Sequence, residues 1–217
     1  MDDARTMLIP PRRVHRRLLL LTPLLVEWAA VRKVVPSARV LRTGLGAAKA
    51  SAAAQRIASF PADAVAVLGF AGALTASLQP GDVVVASEVR GPEGASVVCP
   101  SQSVVASLRA LGVSGVSVGP IVSVDHVVYG RERHQLAHTG ALAVDMESAW
   151  LAAAAAGRPC AVVRVILDVP THGIAHPARA LRSGLVAWWA LRRVAVGLRV
   201  WATEWAWEAV RDRPAAP

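Results

Sequence analysis

"VAVLGFAGALTASLQPGDVVVASEV", residues 65–89, joins two β-rich runs through a glycine-bearing segment and a Pro-Gly turn. The runs read as strands over 64–69 and 82–89, the second launched by Pro80-Gly81. Working outward, further strands are expected at 18–25, 38–43, 116–124 and 160–168. Between them "AAKASAAAQRIASF" (47–60) and "MESAWLAAAAAG" (146–157) read as helices, the second stopped by Gly157. Strands alternating with Ala-rich helices predict an α/β fold rather than a bundle or a sandwich. A chain of 217 residues suits one such domain. The expected organisation is a basic tail (1–17), one α/β domain with a mixed central sheet flanked by helices (18–191), and a Trp/Arg-rich extension (192–217) on a long amphipathic C-terminal helix. The final "RDRPAAP" reads as a disordered tail.

Ala and Val carry much of the 54% hydrophobic fraction. No window approaches the ~18 uninterrupted apolar residues of a membrane span. The N-terminus imitates a signal peptide, but Asp2 and Asp3 spoil its basic start, Pro23 interrupts the apolar run, and Glu27 succeeds it with no clear small-x-small cleavage site. A first buried strand fits better. Cys99 and Cys160 stand alone in apolar surroundings without metal-ligand spacing and read as core residues; no metal site is expected. Nothing demands an oxidising compartment, so a cytoplasmic location is expected, with membrane association through the basic ends as a variant. The net charge of +9 gathers at Arg12, Arg13, Arg16 and Arg17 and in seven arginines after Pro177. Such clusters suit anionic surfaces, but the chain has no nucleic-acid-binding module, and nucleic acid is not an expected partner.

"AVDMESAWLAAAAAG", residues 143–157, places Asp145 and Glu147 where a short strand turns into a helix. Asp145 reads as the helix cap. Glu147 sits beside Met146, an apolar residue able to cover a ligand. "VDMESA" resembles the nucleoside phosphorylase and nucleosidase superfamily, as do residues 65–89, "LRTGLGAAKASAAA" (41–54) and "AVVRVILDV" (161–169), in the same order. The similarity spans about residues 18–172 and implies the superfamily's fold.

The resemblance also implies roles. Glu147 would accept hydrogen bonds from ribose hydroxyls while Met146 packs on the sugar. Asp168 would protonate the purine. Glu27, in "LLLLTPLLVEWAAVRK", would activate water, although Thr22 stands where the family has glycine and one glutamate replaces a run. The set fits the chemistry: breaking a purine N-glycosidic bond needs an acid at the base, support under a cationic sugar, and a nucleophile on the opposite face. Burial at a strand end would keep Asp168 protonated. Read simply as structure, Glu27 is a solvated helix glutamate near Arg32 and Lys33, and Asp168 caps a loop before Pro170.

Phosphorylases of the superfamily carry a phosphate-binding arginine where this chain has Val67, which favours water as nucleophile; Arg42 is the alternative anion ligand. Phe70 replaces a small hydroxyl residue. Phe70, Ala71, Gly72, Val127 and Val128 are expected to line the base or 5′-group pocket, with Trp28 and Trp150 nearby. "GFAGAL", "VSVDHVV" and "ALAVDMESA" look most like the hopanoid-associated branch, whose members take adenine from adenosylhopane. The expectation is therefore an N-glycosidase that releases adenine from an adenosyl compound with a bulky apolar 5′ group, without cofactor and as a homodimer. Methylthioadenosine or S-adenosylhomocysteine cleavage, phosphorolysis, and a non-catalytic nucleoside-binding or lipid-surface protein are the alternatives.

Residues 178–211 hold five of the seven tryptophans, interleaved with arginines. Helical spacing groups Leu181, Leu185, Trp188 and Trp189, which predicts packing on the sheet through residue 191. Residues 192–211 are expected to meet an anionic membrane surface or a presenting partner, with a dimer interface as the competing reading.

Overall fold

The computed structural model describes residues 17–169 and 177–211, with side chains described over 17–169 and 181–203. The elements run β1(Leu18–Thr22), α1(Leu25–Arg32), β2(Arg39–Arg42), α2(Ala47–Ser59), β3(Ala64–Ala73), β4(Val83–Arg90), β5(Ser96–Val98), α3(Ser101–Ala110), β6(Val116–Ser123), α4(Gly130–Ala137), β7(Ala143–Asp145), α5(Ser148–Ala153), β8(Cys160–Asp168) and α6(Pro177–Arg211). The strands form one mixed eight-stranded sheet, as the alternation of strands and helices predicts.

β3 organises it. It pairs in parallel with β8 from Val65 to Gly72 on one side, while on the other Ala64–Val67 pair in parallel with β1 and the last two residues, Gly72 and Ala73, antiparallel with β7. β7 lies parallel to β6, β6 to β4, and β4 runs antiparallel to β8. Five strands thus close on themselves in the cycle β3-β8-β4-β6-β7, while β1 and β2 extend the sheet beyond β3. The glycine-bearing segment after residue 69, where the sequence reading ends the strand, is the continuation of β3 to Ala73. Small residues there let a single strand serve two sets of neighbours, with a register shift between Ala71 and Gly72. β1 stops at Thr22, three residues short of expectation, because Pro23 has no amide N–H to continue a ladder and Leu24 is already the N-cap of α1. α5 starts at Ser148, which leaves Met146 and Glu147 in the turn before it.

Two cores flank the sheet. Leu18 and Leu20 face one with α1, α3 and α6; Leu19 and Leu21 face the other with α2 and α5. That is the pattern of a strand covered on both sides. α6 is packed well past residue 191, where sequence reading ends the domain. Ala187, Leu191, Val194, Ala195, Leu198, Trp201 and Ala202 form its buried stripe. The stripe expected to face the sheet is instead largely in solvent, since Leu181 is 67% exposed and Trp189 59%. Residues 188–191 offer apolar side chains on more than one face, so spacing within that short window selects the wrong one. Trp201 is wholly buried, and its indole N–H donates to Ser103 Oγ of α3 at 3.1 Å. Residues 1–16, including Arg12, Arg13 and Arg16 of the basic tail, lie outside the described residues, as do 212–217 and the side chains of Trp205 and Trp207.

Truncating Trp201 to alanine removes the largest side chain joining α6 to α3 and leaves a cavity. Urea denaturation of Trp201→Ala should show a loss of about 3–5 kcal/mol, the scale for a buried aromatic; a change under ~1 kcal/mol would mean that α6 is not a core helix there.

Candidate active site

A cavity of about 750 Å³ opens where the C-terminal ends of β3, β6 and β8 meet the turn between β7 and α5. Phe70, Ala71 and Gly72 come to its wall from the end of β3, Val127 and Val128 from the segment after β6, Met146 and Glu147 from the β7–α5 turn, and Asp168 from the last position of β8. Eight of the residues singled out from the sequence thus share one cavity. The ninth, Glu27, lies one layer behind it.

Glu27 is not the solvated glutamate of the simpler reading. It is 1% exposed, and its carboxylate accepts the amide of Leu24 at 2.7 Å and that of Phe70 at 2.7 Å. The first bond closes the start of α1; the second ties α1 to β3. Burial pushes its carboxyl above the ordinary glutamate range, and the nearby Arg164 guanidinium opposes that shift.

Arg164, on β8, is the residue that sequence reading missed. It is wholly buried, with Nε 2.8 Å from Asp145 Oδ2 and Nη2 3.6 Å from Glu147 Oε2. Its Nε also donates to Ser148 Oγ at 3.0 Å. Burial alone would favour a neutral guanidine, and Asp145, Glu147 and Glu27 together reverse this and hold it charged. The available signal was an arginine in an otherwise apolar strand, "CAVVRVILD": a charge there needs buried partners. Gly69 provides the room. A side chain at that position would run into both Arg164 Nη1 and Glu27 Oε1.

Asp145 does cap α5, from three residues before the helix. Its Oδ1 accepts the amides of Glu147 at 3.1 Å and Ser148 at 3.0 Å and the hydroxyl of Ser123 at 2.6 Å, while Oδ2 faces Arg164. Glu147 is held between Gly46, whose amide donates to Oε1 at 2.8 Å, and Arg164. It is 3% exposed, and burial raises its carboxyl above the ordinary range. The glycine turn at 44–46 therefore reaches the site: Gly46, at φ +90°, aims an amide at Glu147.

Asp168 differs from expectation. Its side chain is 35% exposed rather than buried, and Arg133 of α4 donates from Nη1 to Oδ2 at 2.7 Å. Arg133 is itself anchored by two bonds to the Ala73 carbonyl, at 3.0 and 2.7 Å. Gly72, at the register shift of β3, again leaves the space, since a Cβ would come within 2.9 Å of both Arg133 Nη2 and Asp168 Oδ1. α4 is too polar to have announced a contribution to the site.

The mouth of the cavity is apolar and open. Val127, Tyr129, Leu167 and Val186 line it with 55%, 67%, 36% and 45% exposure. His126 also lines it, held between Asp125 at 2.6 Å and Glu132 at 2.8 Å. Trp28 and Trp150 take no part. Trp28 donates to the Val40 carbonyl at 3.3 Å beneath Arg32, and Trp150 packs in the α2–α5 core. Val67 is fully buried in β3, and Arg42 stands with Lys49 at a separate, smaller cleft.

Known structures share this architecture. Over 87% of this chain and 98% of the other, it superposes with a TM-score of 0.70 and 19% identity on the Helicobacter pylori 5′-methylthioadenosine/S-adenosylhomocysteine nucleosidase bound to butyl-thio-DADMe-Immucillin-A. The Streptococcus pyogenes S-adenosylhomocysteine nucleosidase with 5-methylthiotubericidin matches at 0.69 and 22% identity, over 87% of this chain and 97% of that one. The futalosine hydrolase of Helicobacter pylori matches at 0.70 and 19%, over 87% and 98%. No curated protein is similar enough in sequence to match. The sequence profile described as "Phosphorylase superfamily" matches residues 31–195, most of the chain, and with the fold in agreement the protein belongs to that superfamily.

Proposed function

We propose that the protein is a purine nucleosidase that hydrolyses the N-glycosidic bond of an adenosyl compound bearing a bulky apolar 5′ group, and releases adenine. The observation that carries this reading is the placement of Glu147 and Asp168 on the wall of one cavity whose mouth is apolar. Glu147, fixed by Gly46 and Arg164, presents a carboxylate of the kind that grips sugar hydroxyls, with Met146 beside it. Asp168 is the group with enough freedom to meet a base, and it is the candidate general acid once it has left Arg133. Glu27, behind Phe70, is the candidate base for water. The cavity is large for a single ligand, in a range of about 300–1,000 Å³ for small-molecule sites, and its apolar rim suits a hydrocarbon substituent better than a charged one.

Adenosylhopane is the substrate that the sequence resemblance suggests. A second reading, cleavage of methylthioadenosine or S-adenosylhomocysteine, draws on the nucleosidases that share the fold. Relative kcat/KM for the three compounds separates the two.

Three outcomes are expected. Asp168→Asn keeps the shape but loses the proton, so adenine release followed by chromatography should fall by ~10²-fold or more; a folded variant with near wild-type turnover would exclude Asp168 as the acid. With Val67 where phosphorylases have arginine, turnover should not depend on added phosphate and the product should be the free sugar, whereas ribose 1-phosphate would identify a phosphorylase. Glu27 and Glu147 must be ionised to act, and burial raises both carboxyls. The ascending acid limb of kcat/KM should therefore be centred above the ordinary glutamate value of 4.5, with activity lost as the pH falls through it. A limb at or below that value would show that neither raised carboxyl controls the reaction.

A further inference from the structure

Besides its buried stripe, α6 carries a second apolar stripe. Leu181, Leu185, Val186 and Trp189 are 67%, 53%, 45% and 59% exposed, at the i, i+4, i+5 and i+8 spacing of one helical face. Trp188 and Trp189 meet edge to face at 5.0 Å, and the Arg192 guanidinium lies over both rings, 4.6 Å and 5.4 Å from their centroids. From Val169 to Thr203 the chain has five arginines and no acid. The same turns of α6 reach the cavity, whose wall includes Arg182, Ser183 and Val186. Apolar stripe, arginines and cavity mouth form one continuous surface.

We propose that this face, residues 181–192, docks on an anionic lipid surface and turns the cavity mouth towards the bilayer. Tryptophan and leucine beside stacked arginine suit the headgroup boundary, where rings are half-buried and guanidinium meets phosphate. The charge pattern selects the occupant. Two copies meeting through this face would bring Arg182 and Arg192 of each together without an acid from either stripe, whereas anionic headgroups neutralise them. Among the described residues no helix is long and apolar enough to cross a membrane, so the contact is peripheral. The docking face lies elsewhere on the helix than residues 192–211, because Val194, Leu198 and Trp201 are spent on the core. Only the purpose of the contact, delivery of a substrate with a lipid-like 5′ group, rests on the nucleosidase reading.

The test is co-sedimentation of the full chain with phosphatidylcholine vesicles, with and without phosphatidylglycerol, alongside the double variant Leu185→Ser/Trp189→Ser. Both positions are exposed and off the cavity wall, so the variant should keep its circular dichroism, thermal midpoint and adenine release from methylthioadenosine. Binding is expected to anionic vesicles only, to fall about tenfold or more between ~0.05 and ~0.5 M salt as charges are screened, and to fall about tenfold or more in the double variant. Absence of binding to anionic vesicles at low salt, or binding that the folded double variant retains in full, overturns the proposal. So does sedimentation velocity showing that the variant dissociates an oligomer while neither protein binds vesicles, which would make the face a self-contact. Vesicle binding without adenine release from any adenosyl compound would sink the nucleosidase reading and leave the docking face standing; adenine release without vesicle binding would do the reverse.

Discussion

Arg164 lies wholly out of water with Asp145 2.8 Å from Nε and Glu147 3.6 Å from Nη2, and Glu27 adds a third carboxylate in the space left by the missing side chain of Gly69. An isolated guanidinium at this depth would cost several kcal/mol, and so would each carboxylate without it. Together they are mutually required. Glu27 comes from α1, Asp145 and Glu147 from the end of β7 and the turn after it, and Arg164 from β8, so the charge cluster ties together three separate parts of the chain. Removing the arginine would strand two or three buried anions, a defect no local repacking could absorb.

Around that cluster the cavity is two-sided. Its inner wall carries Glu147, held by the Gly46 amide, and behind the wall Glu27 is held by the amides of Leu24 and Phe70, so neither carboxylate is free to turn. Its outer rim is mainly apolar, with His126 and Arg182 among Val127, Tyr129, Leu167 and Val186. Asp168 is the exception among the acids, since its one strong partner is a side chain on α4, an element with no buried residue. Whatever takes hold of Asp168 competes with that helix for it.

Much of this was legible in the residues. The alternation of β-rich runs and Ala-rich helices predicts the mixed sheet, and the Met146-Glu147 pair and Asp168 reach one cavity because strand ends in such a sheet converge on one edge. What was not legible depended on distant partners. Arg164 reads as an oddity in an apolar strand until Asp145 and Glu147 are placed against it. Arg133 sits in the most polar stretch of the chain, and nothing local shows that its side chain turns inward. The inverted faces of α6 have the same origin: leucine and tryptophan occur on two sides of the helix, and the positions of the sheet, α1 and α3 decide which side is buried.

The closed cycle of strands also constrains the order in which the chain can assemble. β3 is apolar on both faces, yet one of its two main neighbours, β8, lies nearly a hundred residues later, with Val65 paired to Cys160. The helix that covers one of those faces, α6, comes later still, with its last described core residue at Ala202. The fold therefore has high contact order, and its topology makes closure slow. During synthesis β3 is made early and can pair with β1, but its edge towards β8 stays unpaired until almost the whole chain is available. In that interval its continuous apolar run is open to pairing with other chains.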